Sequence, residues 1–510
     1  MRRSGLRGLP AFGDERHRRC AGWSSHQHAG HARAGVGSAQ LLTDVAIVGC
    51  GPVGALLANL LGQEGLAVDI FDREREIYPL PRAVHFDGEI MRTFQAAGLA
   101  DRIAAAARPS SKGMHFVNAE GRTLMVRRGI DGPGPHGWAG NWYFHQPELE
   151  RILRDGLTRF SNVRVHLGHD VGSVDELEAR YIVGCDGARS LVRRAIGSRR
   201  VDLGLHQPWL VVDLICDPNS PRVRSLPDYS VQLCDPARPM TIVNVGAAPG
   251  GLRRRWEIML MPGDDPARVI EPDLFWPMIT RWLGPADARP ERAAVYTFHS
   301  VVQEGWRRGR LLLAGDACHQ TPPFLGQGMC AGLRDAANLA WKLTAVVKDG
   351  VSDALLDSYE SERLPHVRTF IELAVRLGAV LQETDHEAAR ARDRRFEAGV
   401  EMFDYPQPQL GPGCRLDAPP PVGTIFPQPR LSDGQLMDEA IGQCFAVVGE
   451  ATLLDGLQTD AVLLPDVGLD WLSLHSKRAA ILRPDRYVFA VASDRAELVD
   501  AVAALPVRPA

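Results

Sequence analysis

The chain has 510 residues, 45% of them hydrophobic and 24% charged, with a formal net charge of -4. These are globular values in a chain long enough for several domains, and they lack the basic excess that a nucleic-acid partner would require. No apolar run approaches the roughly 18 to 20 residues that cross a bilayer, so no membrane partner is expected either.

Residues 1–42 are rich in Arg, His, Gly and Ser and carry no apolar period, which predicts a disordered extension. They also lack the continuous apolar stretch of a signal peptide. The nine cysteines are scattered without a C-x-x-C pair or zinc-finger spacing, so reduced thiols, a cytoplasmic location and no metal site are expected.

Order begins at Asp44. Val45, Ala46, Ile47 and Val48 form a buried-strand run that passes at once into Gly49-Cys50-Gly51-Pro52-Val53-Gly54, then a helical pattern to Gln63 and a second strand from Ala67 to Phe71. In such a β-α-β unit Gly49, Gly51 and Gly54 allow a tight turn and bring a helix N-terminus up to a pyrophosphate. Asp72 ends the second strand, where an acidic residue accepts a hydrogen bond from an adenosine ribose; Arg73 beside it is grouped with the same contacts. The motif by itself leaves NAD and FAD both open.

Further along, Leu149, Leu153 and Leu157 fall on one helical face, and a strand from Arg180 leads into Cys185-Asp186-Gly187. From Trp209 to His299 short strands alternate with turns, which predicts an inserted, mostly antiparallel sheet. The chain returns to a buried strand at Leu311–Leu313 and turns at Gly315-Asp316, where an aspartate can hold the ribityl chain of a flavin. Gly326-Gln327-Gly328-Met329 then opens a helix whose positive end suits the flavin N1 and C2 carbonyl. His319, in the same turn, is either a hydrogen-bonded structural residue or an acid-base group.

The expected fold class is α/β. It comprises a Rossmann-like FAD-binding domain (43–205 and 300–385, with helices), an inserted antiparallel substrate sheet (206–299), a linker (386–434) and a small thioredoxin-like domain (435–510).

Taken together, Gly49–Gly54, Cys185-Asp186-Gly187 and Gly315-Asp316 stand in the order and approximate spacing of the p-hydroxybenzoate hydroxylase family of group A flavoprotein monooxygenases. Within it the chain most resembles the 3-(3-hydroxyphenyl)propionate and 3-hydroxycinnamic acid hydroxylases. The segments that carry this are 78–87, 234–239, 253–257, 294–300 and 321–331, the last reading Thr-Pro-Pro-Phe-Leu-Gly-Gln-Gly-Met-Cys-Ala.

The resemblance implies that Gly49, Gly51, Gly54 and Asp72 hold the ADP half of FAD and that Arg82 and Gln146 lie beside the flavin. It further implies that Asp186 and Gly187 serve the pyrophosphate and a transient nicotinamide, that Asp316 serves the ribityl, and that Pro322 borders the flavin C4a. NAD(P)H would reduce FAD, oxygen would add at C4a as a hydroperoxide, and a phenol ring would take one oxygen atom. No second glycine fingerprint follows a strand, so NADH or NADPH must bind transiently.

The substrate end is less legible. Arg255, in the run Arg253-Arg254-Arg255, offers a guanidinium to a carboxylate, although such a run is more often a solvated edge. Tyr296 and His299 would point to opposite faces of one strand, so at most one lines a pocket.

One departure from the family is the short connection 172–179, where a longer hairpin is usual; it is expected to weaken the sheet edge. A hydroxylase of larger, polyketide-like phenols and a flavin-binding protein without turnover remain open, as do oligomeric state and the choice of nicotinamide. An NAD dehydrogenase would leave Gly315-Asp316 without a role.

Overall fold

The computed structural model describes residues 43–79 and 82–506. The expected disordered extension, residues 1–42, lies outside the described residues.

The glycine-rich β-α-β unit forms the middle of a six-stranded sheet. Its order is Arg307–Arg308, Leu311–Leu313, Ala179–Gly184, Thr43–Val48, Val68–Asp72 and Val163–Leu167, parallel throughout except for the first pair. Val45, Ile47, Val68 and Ile70 are buried beneath the helices Pro52–Gln63 and Gln146–Leu157, and the latter buries Leu149, Leu153 and Leu157 as its period predicts. Four adjacent strands therefore deliver Gly315-Asp316, Asp186-Gly187, Gly49–Gly54 and Asp72 to one edge, at the carboxyl ends where open α/β sheets bind ligands. The short connection 172–179 makes one 3-10 turn, Val174–Glu176, and tucks Val171 and Leu177 into the core. Val165 and Leu167 stay exposed on the edge strand Val163–Leu167.

The second sheet has nine strands. Its antiparallel centre is formed by Ala288–Glu304, Arg199–Cys216, Gly251–Met259, Met240–Ala248 and Ser230–Cys234. One face packs Leu210, Val212, Trp256 and Ile258 against Phe275 and Ile279 of the helix Pro272–Ile279. The opposite face carries Trp209, Met259, Met114, Phe116 and Met125. These meet Phe324 and Leu325 and the buried side of the helix Ser358–Leu381.

This sheet is larger than the expected insert 206–299. Met114–Asn118 and Thr123–Arg127 join it from the FAD side of the chain, and Glu401–Phe403 adds in parallel to Thr123–Arg127. Residues 386–434 are thus not a plain linker, since they contain the helix His386–Arg395 as well as that strand. Parallel pairing between segments hundreds of residues apart has no signature in local composition.

The C-terminal unit runs strand Ala446–Gly449, helix Ala451–Leu454, strand Val462–Pro465, helix Leu469–Leu474, strands Ala479–Leu482 and Val488–Ala492, and helix Arg495–Ala503. The first two strands are parallel and the rest antiparallel, in the order 2-1-3-4, a thioredoxin-like arrangement. Buried charges fasten it to the larger body: Glu362 accepts from Arg483 at 2.9 Å and Lys342 at 2.8 Å, and Asp438 accepts from Arg92 at 2.8 Å.

Candidate active site

The first wall of the cleft is backbone. Gly49 adopts φ +103°, and a Cβ there would lie 2.4 Å from the Cys185 carbonyl oxygen; a Cβ on Gly54 would lie 2.0 Å from the Gly49 carbonyl oxygen. Both positions exclude any side chain, whereas a Cβ on Gly51 meets nothing within 4 Å. The helix Pro52–Gln63 starts here with neither a side-chain cap nor an acidic residue in its first turn, so its free N–H groups and positive end face open space. Asp72 accepts from the Cys50 N–H at 2.7 Å and the Glu74 N–H at 2.9 Å, which folds the ribose-side loop around its carboxylate.

Arg154 was not legible as a site residue in the sequence, yet its Nε donates to the Cys50 carbonyl at 3.1 Å and its guanidinium lies 3.8 Å from Asp72. Arg73 instead points to solvent and pairs with Glu74 at 3.3 Å. Gln146 accepts from the backbone N–H groups of Arg82 at 2.8 Å and Ala83 at 2.7 Å, clamping that segment, while the exposed Arg82 guanidinium sits over the Tyr78 ring.

The second wall comes from the aspartate turns. One Asp186 oxygen accepts from the Leu191 N–H at 2.6 Å; the other is buried without a partner, beside Gly187 at φ +73°. Gly315 donates its N–H to Asp335 at 3.1 Å, and Asp316 next to it is exposed on the cleft wall. It nevertheless lies deep enough that desolvation raises its carboxyl above the ordinary range, against the pull of His319 and Arg82.

The helix Gly328–Val347 passes so close that a Cβ on Gly332 would lie 2.9 Å from Gly315 Cα. It too begins without a side-chain cap or a first-turn acid. Its lead-in is fixed by the turn at Gly326, φ +66°, and by Gln327, which donates to Asp87 at 3.0 Å. Arg334 binds Asp87 at 2.6 Å, and although burial opposes it, this guanidinium holds the Asp87 carboxyl at about 2. Met329, in the first turn, packs against the main core.

Several expected site residues are placed otherwise. His319 is fully enclosed: its Nε2 meets Asp335 at 2.7 Å, and Asp335 also takes Arg363 at 2.9 Å, so the ring supports the Gly315 turn from behind and is not at the reacting surface. Arg255 is neither a solvated edge nor available to a substrate, because Asp213 binds it at 2.7 and 3.0 Å and the Arg82 carbonyl accepts from it at 2.7 Å. His299 sits on the outer side of its strand, with Nδ1 2.6 Å from His206 Nδ1. Tyr296 shares the inner face with Trp209, its directly opposed neighbour. Burial raises its hydroxyl pKa, and the Arg292 guanidinium lies 4.9 Å from its ring. Pro322 is buried ahead of the turn Pro323–Leu325, which carries Phe324 against Trp209 at 5.6 Å between ring centroids.

A further polar group stands where the sheet meets this turn. His85 Nδ1 faces the Gly326 carbonyl at 3.5 Å and its Nε2 meets Asn141 at 3.1 Å; Tyr405 donates to the Leu325 carbonyl at 3.3 Å. Arg127 donates to Asn141 at 2.6 Å and stacks 4.1 Å from the Tyr405 ring centroid. Its residues come from four separated segments, and no motif joins them.

The fit to FAD rests on four features at one sheet edge: glycines that no side chain can replace, two uncapped helix N-termini, an orphaned Asp186 oxygen and a solvent-facing Asp316. A dinucleotide needs donors for its phosphates and acceptors for its hydroxyls, and both are offered in that order. Among the described residues no cluster of His, Cys, Asp and Glu could hold a metal ion, and no helix is long and apolar enough to cross a membrane.

Comparison with known proteins agrees with this geometry. Residues 42–176 and 172–374 match the family described as FAD binding domain. The chain is 36% identical to a probable NADH-specific resorcinol 4-hydroxylase of Rhodococcus jostii, over 93% of this chain and 98% of that one. It is 37% identical to a 3-(3-hydroxy-phenyl)propionate/3-hydroxycinnamic acid hydroxylase of Mycolicibacterium gilvum, over 79% and 75% respectively. Among solved structures, an aklavinone-11 hydroxylase in complex with FAD and aklavinone superposes with a TM-score of 0.72 at 21% identity, covering 91% of this chain and 99% of that one.

Proposed function

The chain belongs to the FAD-dependent aromatic hydroxylases, the group A flavoprotein monooxygenases, and on that premise we propose that it hydroxylates a phenolic aromatic acid. The substrate class is 3-(3-hydroxyphenyl)propionate or 3-hydroxycinnamate, converted to the 2,3-dihydroxy product with NAD(P)H and O2. The observation that carries this reading is the juxtaposition of the cofactor edge with an apolar, aromatic sheet face: Trp209 packs on Phe324, four residues before Gly328 opens the helix at the cleft.

When bound, FAD would supply the redox chemistry, that is, hydride acceptance from NAD(P)H and activation of O2. The protein's own residues then have three tasks. Gly49–Gly54, Asp72 and Asp316 bind and orient the cofactor. The positive end of Gly328–Val347 stabilises negative charge beside it. Trp209, Phe298, Phe324 and Met259 exclude water, which any reactive oxygen species at the site requires. The Tyr296 hydroxyl, raised by burial, stays protonated at neutral pH and acts as a hydrogen-bonding group rather than a base.

The Rhodococcus jostii relative, spanned almost end to end, favours a second reading in which a neutral phenol such as resorcinol is hydroxylated, with NADH as the reductant. In either case the reductant binds transiently, a gating step that substrate can promote by shifting the population of the receptive arrangement. A cytoplasmic location is part of the proposal, supported by the use of NAD(P)H; a homo-oligomer is compatible with it.

The test is oxygen uptake by the FAD-loaded protein with NADH or NADPH and a panel of phenols, with product identification. Anaerobic reduction of the flavin should be at least about tenfold faster with the correct phenol, a barrier change of only about 1.4 kcal/mol. Oxygen consumption without any hydroxylated product from the whole panel would reject the function.

A further inference from the structure

Arg127 is a cation at the sheet–turn junction that the proposed cofactor cradle does not use. Its side chain is fully buried. Its Nη1 donates to the Asn141 side-chain oxygen at 2.6 Å and its guanidinium carbon lies 4.1 Å from the Tyr405 ring centroid, but Nε and Nη2 have no hydrogen-bond partner. Nor does a carboxylate among the described residues pair with it. Asp87, an acid of the same region, is already held by Arg334 at 2.6 Å and Gln327 at 3.0 Å. His85 cannot help, because burial and the Arg127 charge itself hold its pKa at about 4, leaving a neutral ring.

A guanidinium withdrawn from water with two unsatisfied donors and no counter-ion carries a large desolvation cost, which an anion removes. Nε and Nη2 lie on one side of the planar fork, the side that receives the two oxygens of a carboxylate.

The surroundings say what kind of anion fits. In register, Arg127 pairs with Met114 and Met125 pairs with Phe116, so all four side chains share the face that carries Trp209 and Met259. Tyr405, stacked on the guanidinium, donates to the Leu325 carbonyl in the turn that precedes Gly328. The cation thus stands at one end of an apolar, methionine-rich layer that packs against Phe324 and Leu325, in the turn that leads into the helix Gly328–Val347 at the cofactor edge. Methionine side chains adjust their shape to a ligand more readily than branched ones.

We propose that Arg127 is the carboxylate-binding residue of the substrate site, so that the preferred substrate is a phenolic acid whose ring lies on the methionine and aromatic patch and whose carboxylate takes Nε and Nη2. This rests on the hydroxylase reading and sharpens it, since it chooses the acid over a neutral phenol. Asn141 and Tyr405 act as positioning residues that keep the fork in plane.

The test uses the FAD-loaded enzyme and the perturbation of flavin absorbance on binding. The ligands are 3-(3-hydroxyphenyl)propionate, its uncharged primary amide of nearly the same shape, and resorcinol. The acid should bind wild type at least about tenfold more tightly than the amide. Arg127→Gln should remove that preference, and Arg127→Lys should restore part of it, since a point charge replaces the fork. Equal affinities for acid and amide in wild type overturn the assignment without recourse to any variant, even if Arg127→Gln fails to fold. Weaker flavin retention in Arg127→Gln, with the acid preference intact in the fraction that keeps its flavin, also overturns it, by making the residue part of the cofactor site. Coupled hydroxylation of resorcinol together with equal acid and amide binding would sink this inference alone. Absence of hydroxylation with all three ligands would sink the function from which it starts.

Discussion

The cofactor edge and the substrate face of this protein are built by opposite means. At the edge, the proposed cofactor contacts are backbone N–H groups, glycines and two short aspartate turns, and each turn is contiguous in sequence. Across from it, the substrate face is made of side chains from strands as far apart as Met114–Asn118 and Glu401–Phe403, with buried charges such as Asp213–Arg255 and Arg127 set among aromatic and methionine residues. A backbone site tolerates almost no added atom at its turns, whereas a side-chain site tolerates changes of shape but not the loss of one member of an ion pair.

The largest test of this contrast is at the glycines. Gly54→Ala should yield colourless or unfolded protein, because its Cβ would lie 2.0 Å from the Gly49 carbonyl oxygen. Gly51→Ala should fold with an unchanged melting temperature, since its Cβ meets no protein atom, yet bind FAD at least about tenfold more weakly by approaching the pyrophosphate. Flavin-to-protein absorbance ratios and a thermal melt read both; an equally stable and equally yellow pair would break the contrast.

On the sheet side, Asp213→Ala takes the bidentate carboxylate from the buried Arg255 and should cost about 3–5 kcal/mol in urea unfolding. A cost below about 1 kcal/mol, the range of a surface pair, would mean that the charges of this face are not structural.

Smaller effects are expected at the two aspartates of the edge. Asp316→Ala should weaken FAD binding by about 1–3 kcal/mol, as a buried ribityl hydroxyl loses its acceptor. Asp72→Ala should weaken it less, because that carboxylate mainly holds the Cys50 and Glu74 N–H groups. Titration of the apoprotein with FAD ranks them, and equal losses would remove the distinction.

The smallest effect concerns acid. Burial holds His85 and His136 at about 4, below the 6.5 of an unfolded histidine, so the unfolded chain binds more protons between those values. Their contribution to stability is present above pH 6.5 and is lost as the pH falls towards 4, by at most about 2 kcal/mol each at pH 5. Melting temperatures should drop from pH 7 to pH 5, and the slope should be shallower in His136→Gln. A flat profile would show that neither ring is held neutral.

The same contrast governs what could be read in advance. The placement of Gly49–Gly54, Asp72, Asp186-Gly187 and Gly315-Asp316 at strand-to-turn junctions was legible because the local pattern of each is visible within a few residues. Arg154, His85, Asn141, Arg127 and Tyr405 were not, since nothing in the spacing of those positions marks them as neighbours. The run Arg253-Arg254-Arg255 misled for a related reason: in a strand buried on both faces all three are enclosed, and partners on neighbouring segments (Glu291, the Pro227 carbonyl and Asp213) take up the charge.

By itself, then, the sequence determined the glycine-rich strand-to-helix turn, the α/β class and the small terminal domain, because tight turns, helix starts and strand periods depend on contacts within a few positions. Only the tertiary structure decided that His319 stands behind the Gly315 turn, that Arg255 is committed to Asp213, that Glu401–Phe403 extends the second sheet and that Arg127 has no counter-ion among the described residues. Each of these depends on which distant segments pair across the sheet and on which charges that pairing seals from water, and a buried charge finds its partner through space rather than along the chain.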